Sequence, residues 1–538
     1  MNESAPRGNS YSIGLIFGAL GSIGLIAASY LGYQVADFPF VPFDIFDWMT
    51  RILPGSLVTA GIDTMILLIR EFPLGPTDQA AKIAEQVFAI IIFVLLGIAA
   101  GGLLALIVRR TGQSATRTGV LFGLVFSVPI LLIEFSLGLR SETPLIEVLW
   151  LMFLFAAWGG VVGLGLQERP QESAEEPGAV SRRSFLYLLG SSLLAISAGL
   201  IGLGRLFESD DVETVADPQE VLDIEGITGT KTSPSTETLS ERIDPAPGTR
   251  PELTANEDFY RIDINTRSPR IDEAEWRFHL DGLVRNPLAL SLNEIRSRPS
   301  IAQVITLQCI SNPIGGDLTG TSVWKGVPLK ELLQEAEVLP DAKEVSVEAA
   351  DGFYESVAME DMMDERTLLV YEMNGVPLPI EHGFPLRIYI PNRYGMKQPK
   401  WIERMTVIGE EGKGYWVDRG WSPEAIVNTT SVIDAVAADG NLSEGDMVPV
   451  GGIAYAGARG IDRVEVRVDD GPWVEAQLRV PPLSSLSWVQ WRYDWSYAPG
   501  RHKFQVRAYD GNGELQELES RGSRPDGATG VHEVDVNI

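Results

Sequence analysis

The chain has 538 residues, a formal net charge of −29 and an isoelectric point of about 4.6. At roughly 150 residues per domain, this length predicts several domains, and the excess of carboxylates argues against nucleic acid as a partner because its phosphates would be repelled. The single cysteine excludes an internal disulfide and, within this chain, a cysteine-rich zinc site or an iron–sulfur cluster.

The first 207 residues contain long apolar runs and are predicted to form a membrane region. Five runs are long enough to cross the ~30 Å hydrocarbon layer as helices, at 11–32, 85–108, 118–139, 145–166 and 184–204. A sixth run at 52–69 is interrupted by Pro54, Gly55 and Asp63. We therefore predict that this run is interfacial or re-entrant.

Basic residues set the expected orientation of the membrane region. Arginines occur at 109, 110, 117, 182 and 183, whereas the loops at 33–50 and 71–83 are poor in basic residues. Loops rich in Lys and Arg stay in the cytoplasm. The N-terminus is thus predicted to be cytoplasmic and everything after residue 204 to lie outside.

The stretch "SRRSFLYLLGSSLLAISAG" opens the last predicted span and resembles a twin-arginine export signal, although its position is internal. Ser181, Phe185 and Leu186 match the signal as well as the arginine pair. The alternative is that Arg182 and Arg183 are ordinary cytoplasmic flanks of a span. The export route carries folded proteins, so the downstream domain would acquire any cofactor in the cytoplasm.

Beyond the membrane region, composition predicts three further segments. Residues 208–256 are acidic and rich in Thr, Ser and Pro, which is typical of a solvated tether. Residues 257–427 mix short strand-like runs with helical patches and predict an α+β domain. From 428 to 538, alternating segments such as "DRVEVRVDD" and "HKFQVRAYD" predict an immunoglobulin-like β-sandwich.

The only cysteine, Cys309, follows the apolar run "AQVITLQ". It could be a nucleophile, a metal ligand or a small buried hydrophobic residue. The four histidines, at 279, 382, 502 and 532, form no pair at metal-ligand spacing, and they support a catalytic triad poorly. If Cys309 binds a metal, a cofactor must therefore supply the other ligands.

Residues 257–538 resemble the sulfite oxidase family of molybdopterin enzymes. The matching blocks occur in the family's order: "EDFYRID", "WRFHLDGLV", "TLQCISN", "SVWKGVPLKELL", "YEMNGVPLPIEHGFPLRIYIPNRYGMKQPKW" and "GGIAYAGARGIDRVEVRVDDGPWVEAQL". The resemblance implies a molybdenum cofactor with Cys309 as the protein's ligand to the metal. It further suggests the membrane-anchored bacterial or archaeal type. Because only nine of the 43 basic residues are lysine and carboxylates are abundant, we expect adaptation to high salt and a haloarchaeal source.

The resemblance also assigns roles to single residues. It implies that His382, Arg387 and Lys400 hold the pterin and its phosphate, for which a guanidinium fork is well suited. Arg261 matches an arginine near the metal, whereas Asp263 stands where sulfite oxidases have a histidine. Two further residues are expected to line the same pocket: Asp351 and Ser356.

Two departures from the family's pattern concern the substrate. Ile314 stands in place of an arginine that helps sulfite oxidases bind sulfite. The family's active-site tyrosine has no clear counterpart, and three residues are candidates to project nearby: Tyr415, Arg419 and Trp421. A small oxyanion such as sulfite, or an S-oxide, is therefore the expected substrate.

We predict an extracytoplasmic, membrane-anchored oxidoreductase that transfers oxygen atoms to or from a small molecule. A methionine-sulfoxide-type reductase and a noncatalytic membrane-anchored binding protein are the alternatives. Residues 1–278 contain no histidine and the chain has no C-x-x-C-H motif, so we expect no haem and a separate electron carrier, either a cytochrome or a copper protein. The resemblance implies pairing of subunits through the β-sandwich, and hence a possible homodimer.

Overall fold

The computed structural model describes residues 9–61, 64, 75–137, 144–167, 182–206, 242–438 and 442–538. The described residues fall into two compact units. The helical unit comprises residues up to 67, 81–212 and 265–267, and the sheet unit comprises 68–80, 213–264 and 268–538.

Six helices in the N-terminal part have both ends within the described residues: α1 Asn9–Ala36, α2 Val41–Ile52, α3 Thr77–Thr111, α4 Ala115–Leu137, α5 Pro144–Leu166 and α6 Arg182–Arg205. Within the described residues, five of them (all except α2) are long and apolar enough to cross a membrane, which confirms the five predicted helical runs. In the sixth run, 52–69, residues 55–61 and 64 are helical. Residues 62, 63 and 65–69 lie outside the described chain.

Glycines allow α4 and α5 to pack closely. A Cβ atom at Gly159 would overlap the carbonyl oxygen of Gly119, and one at Gly123 would overlap the carbonyl oxygen of Phe155. Small residues at such crossings let helix backbones approach each other in the absence of a hydrophobic driving force. The glycines that interrupt these apolar runs therefore serve helix packing.

The sheet unit begins with two sheets built from ten strands: β1 Phe278–Gly282, β2 Leu288–Leu290, β3 Ile301–Gln308, β4 Thr319–Pro328, β5 Glu344–Ala349, β6 Tyr354–Ala358, β7 Leu368–Met373, β8 Val376–Pro377, β9 Arg387–Tyr389 and β10 Ile402–Ile408. One sheet has the order β2-β1-β10-β5-β6, and β1 and β10 run parallel. The other has the order β3-β4-β7-β8, with β9 paired to β7. Three short helices accompany them: α7 Leu292–Arg296, α8 Leu329–Glu335 and α9 Met359–Met362.

Eight more strands complete the sheet unit: β11 Thr430–Val436, β12 Met447–Tyr455, β13 Ile461–Val468, β14 Val474–Glu475, β15 Gln477–Leu478, β16 Val489–Ser496, β17 Arg501–Asp510 and β18 His532–Asn537. They form two antiparallel sheets, β11-β12-β16-β15 and β14-β13-β17-β18. Val450 and Trp491 of the first share a core with Val466 and Phe504 of the second. Two packed sheets agree with the predicted sandwich, whereas its immunoglobulin-like character stays a prediction.

The end of the predicted tether, 208–256, is folded. Arg242 forms an ion pair with Glu252 at 2.6 Å, and Leu253 is buried. The prediction of a solvated tether is therefore wrong for this end, because its few apolar side chains and arginines find partners in the sheet unit. The tether residues before 242 lie outside the described chain.

Candidate active site

Cys309 directly follows β3 and begins the turn to β4. Its backbone N–H donates to the carbonyl of Leu318 at 3.0 Å, and its own carbonyl accepts from the N–H of Asn312 at 3.0 Å. The side chain is 8% exposed, and its Sγ lies 3.0 Å from Oγ of Ser311. Burial raises the pKa of the Cys309 thiol. A thiol in this setting ionises readily only when a metal ion takes the place of its proton.

Arg387, the first residue of β9, supplies a buried positive charge. Its side chain is 6% exposed, and one guanidinium nitrogen donates to the carbonyl of His382 at 3.0 Å. The guanidinium lies over the ring of Trp324, 4.7 Å from the ring centre. Burial lowers the pKa of Arg387 to about 10. In the described part of the chain no carboxylate forms an ion pair with it, so this position suits an anionic group of a ligand.

His382 lies in a short 3-10 turn that ends at Gly383, whose φ of 115° is accessible mainly to glycine. Its Nε2 is 3.0 Å from the carbonyl oxygen of Asn256 and therefore donates. Burial, and then the charge of Lys400, lower the pKa of His382 to about 3. The imidazole is thus neutral at physiological pH and adds no charge to the site.

Lys400 and Arg261 share one carboxylate, that of Asp263. Arg261 donates from Nε to Asp263 at 3.0 Å, and the Lys400 ammonium lies 3.8 Å from the same oxygen. The Lys400 ammonium also donates to the carbonyl of Glu381 at 2.9 Å. Burial lowers the pKa of Lys400 to about 8, against the charge of Asp263. Asp263 therefore balances part of the positive charge where sulfite oxidases have a histidine.

Asp351 and Ser356, the two further residues expected to line the pocket, have different surroundings in the structure. Asp351 is buried, accepts from the N–H of Phe353 at 2.9 Å, and acts electrostatically on Lys400. Ser356 donates to Glu344 at 2.5 Å. No hydrogen bond or ion pair described for Ser356 links it to Cys309 or Lys400. Asp351 thus joins the predicted cluster, and Ser356 belongs to a neighbouring network.

The candidates for the missing tyrosine lie in an aromatic group. Tyr415 contacts Phe353 with ring centres 5.7 Å apart, and the guanidinium of Arg419 lies 3.6 Å from the centre of the Tyr415 ring. Trp421 lies under Arg524 at 5.3 Å. Through Phe353 this group adjoins the turn that contains Asp351.

Sequence reasoning missed two features of the site. Tyr260 is an electrostatic neighbour of Cys309 and Arg387, although the quoted block "FYRID" contains it. Lys397 and Glu355 form a buried ion pair of 2.7 Å. Burial raises the pKa of Glu355, and the Lys397 ammonium opposes that rise. The signal for Tyr260 was its position directly before Arg261, whereas the ion pair joins residues far apart in the sequence.

The cluster fits a cofactor that carries a phosphate and binds its metal through one protein thiolate. Arg387, Lys400 and Arg261 supply positive charge that Asp263 and Asp351 only partly balance. One buried thiol lies at the end of β3. This combination of a single thiol and an anion-binding pocket is the one that a molybdopterin-dependent oxidoreductase requires.

Comparisons with known proteins agree with this class. Residues 265–416 match the family described as "Oxidoreductase molybdopterin binding domain". Mouse mitochondrial sulfite oxidase is 29% identical over 270 residues, which cover 42% of this chain and 50% of that protein. An uncharacterized oxidoreductase of Bacillus subtilis, YuiH, is 31% identical over 150 residues, or 28% of this chain and 74% of that protein.

A third relative, from Azospira oryzae, is a putative protein-methionine-sulfoxide reductase subunit, YedZ1. It is 32% identical over 152 residues, which cover 28% of this chain and 56% of that protein. The chain thus spans about half the length of several curated relatives. It belongs to the sulfite oxidase family of molybdopterin-dependent oxidoreductases and takes a molybdenum cofactor. Membership of an enzyme family gives no support to the noncatalytic alternative.

Replacing Lys397 by Met should destabilise the sheet unit by about 3–5 kcal/mol, because Glu355 is left buried without its partner. The double variant Lys397→Met/Glu355→Leu removes both charges and should regain most of this loss. Thermal unfolding of the detergent-purified full-length chain measures both effects. A single variant as stable as the parent would show that the pair contributes little.

Cys309→Ser should abolish turnover while cofactor is retained, because a hard hydroxyl replaces a soft thiolate of nearly the same size. The contacts expected from His382, Arg387 and Lys400 do not involve the sulfur. The measurement is activity per bound molybdenum, with pterin determined by fluorescence after release. Equal activity per molybdenum in variant and parent would remove Cys309 from the mechanism.

Proposed function

We propose that the chain transfers an oxygen atom to or from a small oxyanion or S-oxide on the extracytoplasmic side of a membrane. The observation that carries the proposal is that the buried thiol of Cys309 lies in one cluster with the buried guanidinium of Arg387. Among the described residues, no carboxylate forms an ion pair with Arg387. Oxidation of sulfite to sulfate takes one oxygen from water and releases two protons and two electrons. Reduction of an S-oxide consumes two protons and two electrons and releases water.

The protein's own groups hold and orient the cofactor. When bound, the molybdenum cofactor supplies the two-electron oxygen-atom chemistry. Cys309 would be the protein's ligand to the metal. Arg387 and Lys400 would bind the anionic part of the cofactor. Neutral His382 would hold the turn that precedes Arg387 in place. A separate cytochrome or copper protein would exchange single electrons with the site. Pairing of two subunits through the β-sandwich belongs to the same proposal.

The helical unit supports the proposed side of the membrane. Lys82 and Arg109 lie near opposite ends of α3, about 40 Å apart at 1.5 Å per residue. At the Lys82 end, Asp47 accepts from the N–H of Thr266 at 2.9 Å, and Lys82 donates to the carbonyl of Asn265 at 2.8 Å. If the arginines near the α3–α4 turn face the cytoplasm, Asn265 and Thr266 lie outside.

A methionine-sulfoxide-type reductase is the second candidate. The turn after Cys309, residues 310–318, contains no Lys or Arg, and Ile314 stands where sulfite oxidases have an arginine. A turn without basic side chains favours a neutral S-oxide over a charged oxyanion. The relative from Azospira oryzae, whose name refers to methionine sulfoxide, points the same way.

Purified full-length protein with about one molybdenum per chain should turn over one of two substrate classes. Sulfite would be tested with ferricyanide as electron acceptor. Methionine sulfoxide and dimethyl sulfoxide would be tested with reduced viologen as donor, and Cys309→Ser would serve as the inactive control. Given Ile314, we expect a larger kcat/KM for the S-oxides. Absence of turnover with all three in molybdenum-loaded protein would contradict the proposed function.

Export can be tested separately. Changing Arg182 and Arg183 to lysine should keep the sheet unit on the cytoplasmic side if the twin-arginine machinery recognises the pair. The matched control changes Arg109 and Arg110 to lysine, which keeps the charge outside the motif. Protease added to spheroplasts should cleave the sheet unit of the parent and the control, and spare that of the variant. Equal cleavage of the parent, the variant and the control would show that Arg182 and Arg183 act only as a signal for membrane topology.

A further inference from the structure

The hydroxyl of Tyr260 stands out among the tyrosines near Cys309. Tyr260 is partly exposed, and its ring stacks on Phe259 with centres 5.4 Å apart. Cys309 and Arg387 are among its electrostatic neighbours. In the part of the chain that the structure describes, no hydrogen bond engages this hydroxyl. A phenol near Cys309 and the buried Arg387 guanidinium is thus available to bind a ligand.

Neighbouring tyrosines differ in this respect. The hydroxyl of Tyr394 accepts from the N–H of Asn428 at 3.1 Å, and the hydroxyl of Tyr455 donates to the carbonyl of Thr306 at 2.7 Å. Both therefore have structural roles. Tyr415, a candidate from the sequence, is covered by Arg419.

A glycine makes room for the Tyr260 hydroxyl. A Cβ atom at Gly395 would lie 3.0 Å from this oxygen and 3.5 Å from the carbonyl oxygen of Gln308, the residue before Cys309. The turn that contains Gly395 also contains Lys397, which the ion pair with Glu355 holds in place. The hydroxyl is thus confined beside the end of β3.

A phenol is protonated at neutral pH, because its ordinary pKa is about 10. The Tyr260 hydroxyl can therefore donate a hydrogen bond to a ligand oxygen.

We propose that Tyr260 is a catalytic residue whose hydroxyl donates a hydrogen bond to the oxygen atom that is transferred. Tyr260 would serve in place of the family's active-site tyrosine, which has no clear counterpart in the segment "GYWVDRGW". This inference rests on the proposed oxygen-atom transfer and names one of its contacts. A positioned donor of this kind changes kcat by about 10²–10³-fold in other enzymes.

Two variants test the contact by activity. Tyr260→Phe in the full-length holoenzyme should lower kcat/KM by about 10²–10³-fold, with molybdenum content and melting temperature unchanged. Gly395→Ala should cause a smaller loss in the parent, because its Cβ would lie 3.0 Å from the hydroxyl and crowd it, and little further loss in Tyr260→Phe, which lacks the hydroxyl. Tyr455→Phe is the control: it should lower the melting temperature and leave kcat/KM per bound molybdenum within about twofold, since its hydroxyl bonds only to the backbone of β3.

A spectroscopic measurement tests the same contact without turnover. In the one-electron-reduced holoenzyme, the electron paramagnetic resonance signal of molybdenum reports exchangeable protons near the metal. Replacing H₂O by D₂O should narrow this signal more in the parent and in Tyr455→Phe than in Tyr260→Phe. If the parent turned over no substrate, the proposed function would fail, and this difference alone would decide the place of the Tyr260 hydroxyl.

Three results would overturn the inference. The first is a kcat/KM of Tyr260→Phe within threefold of the parent. The second is loss of molybdenum or pterin from Tyr260→Phe, which would make Tyr260 a residue that only binds the cofactor. The third is the same narrowing in D₂O for Tyr260→Phe and the parent.

Discussion

A positive charge buried without a carboxylate governs this site. Arg387 lies over Trp324 and donates to the carbonyl of His382, but neither contact neutralises its charge. Burial of an unpaired ion is costly, and an anionic ligand offsets that cost. On the proposed assignment of Arg387 to the anionic part of the cofactor, cofactor binding would therefore also stabilise the folded sheets that surround this residue.

Asp263 limits how positive the site becomes. It serves both Arg261 and Lys400, so these two cations share one negative charge, and neutral His382 adds none. The surplus positive charge is thus concentrated at Arg387. A histidine at position 263 would leave Asp351 as the carboxylate that acts on Lys400, and would leave Arg261 without the ion pair to Asp263. Because this chain has Asp263 where the family has a histidine, the charge in its pocket is distributed differently.

Local patterns predicted much of the fold and part of the site. Hydropathy located the five long helices, because a run of about 20 apolar residues has few other uses. Ordered motifs singled out Cys309, His382, Arg387 and Lys400, whose role in cofactor binding stays a prediction. The contact between Lys397 and Glu355 was not predictable, because it depends on the meeting of two distant segments. Tyr260 was missed for a different reason: an aromatic residue directly after a phenylalanine usually indicates a position in the hydrophobic core.

The contacts of Thr306 impose an order of events during biosynthesis. This residue of β3, three positions before Cys309, accepts hydrogen bonds from the hydroxyl of Tyr455 and from the N–H of Trp488. Residues made late by the ribosome thus secure the strand that presents the thiol. A nascent chain that ended before Trp488 would have an incompletely supported β3. On the proposed assignment of Cys309 as metal ligand, the strand that presents the thiol would thus be fully supported only after the C-terminal sheets have been synthesised.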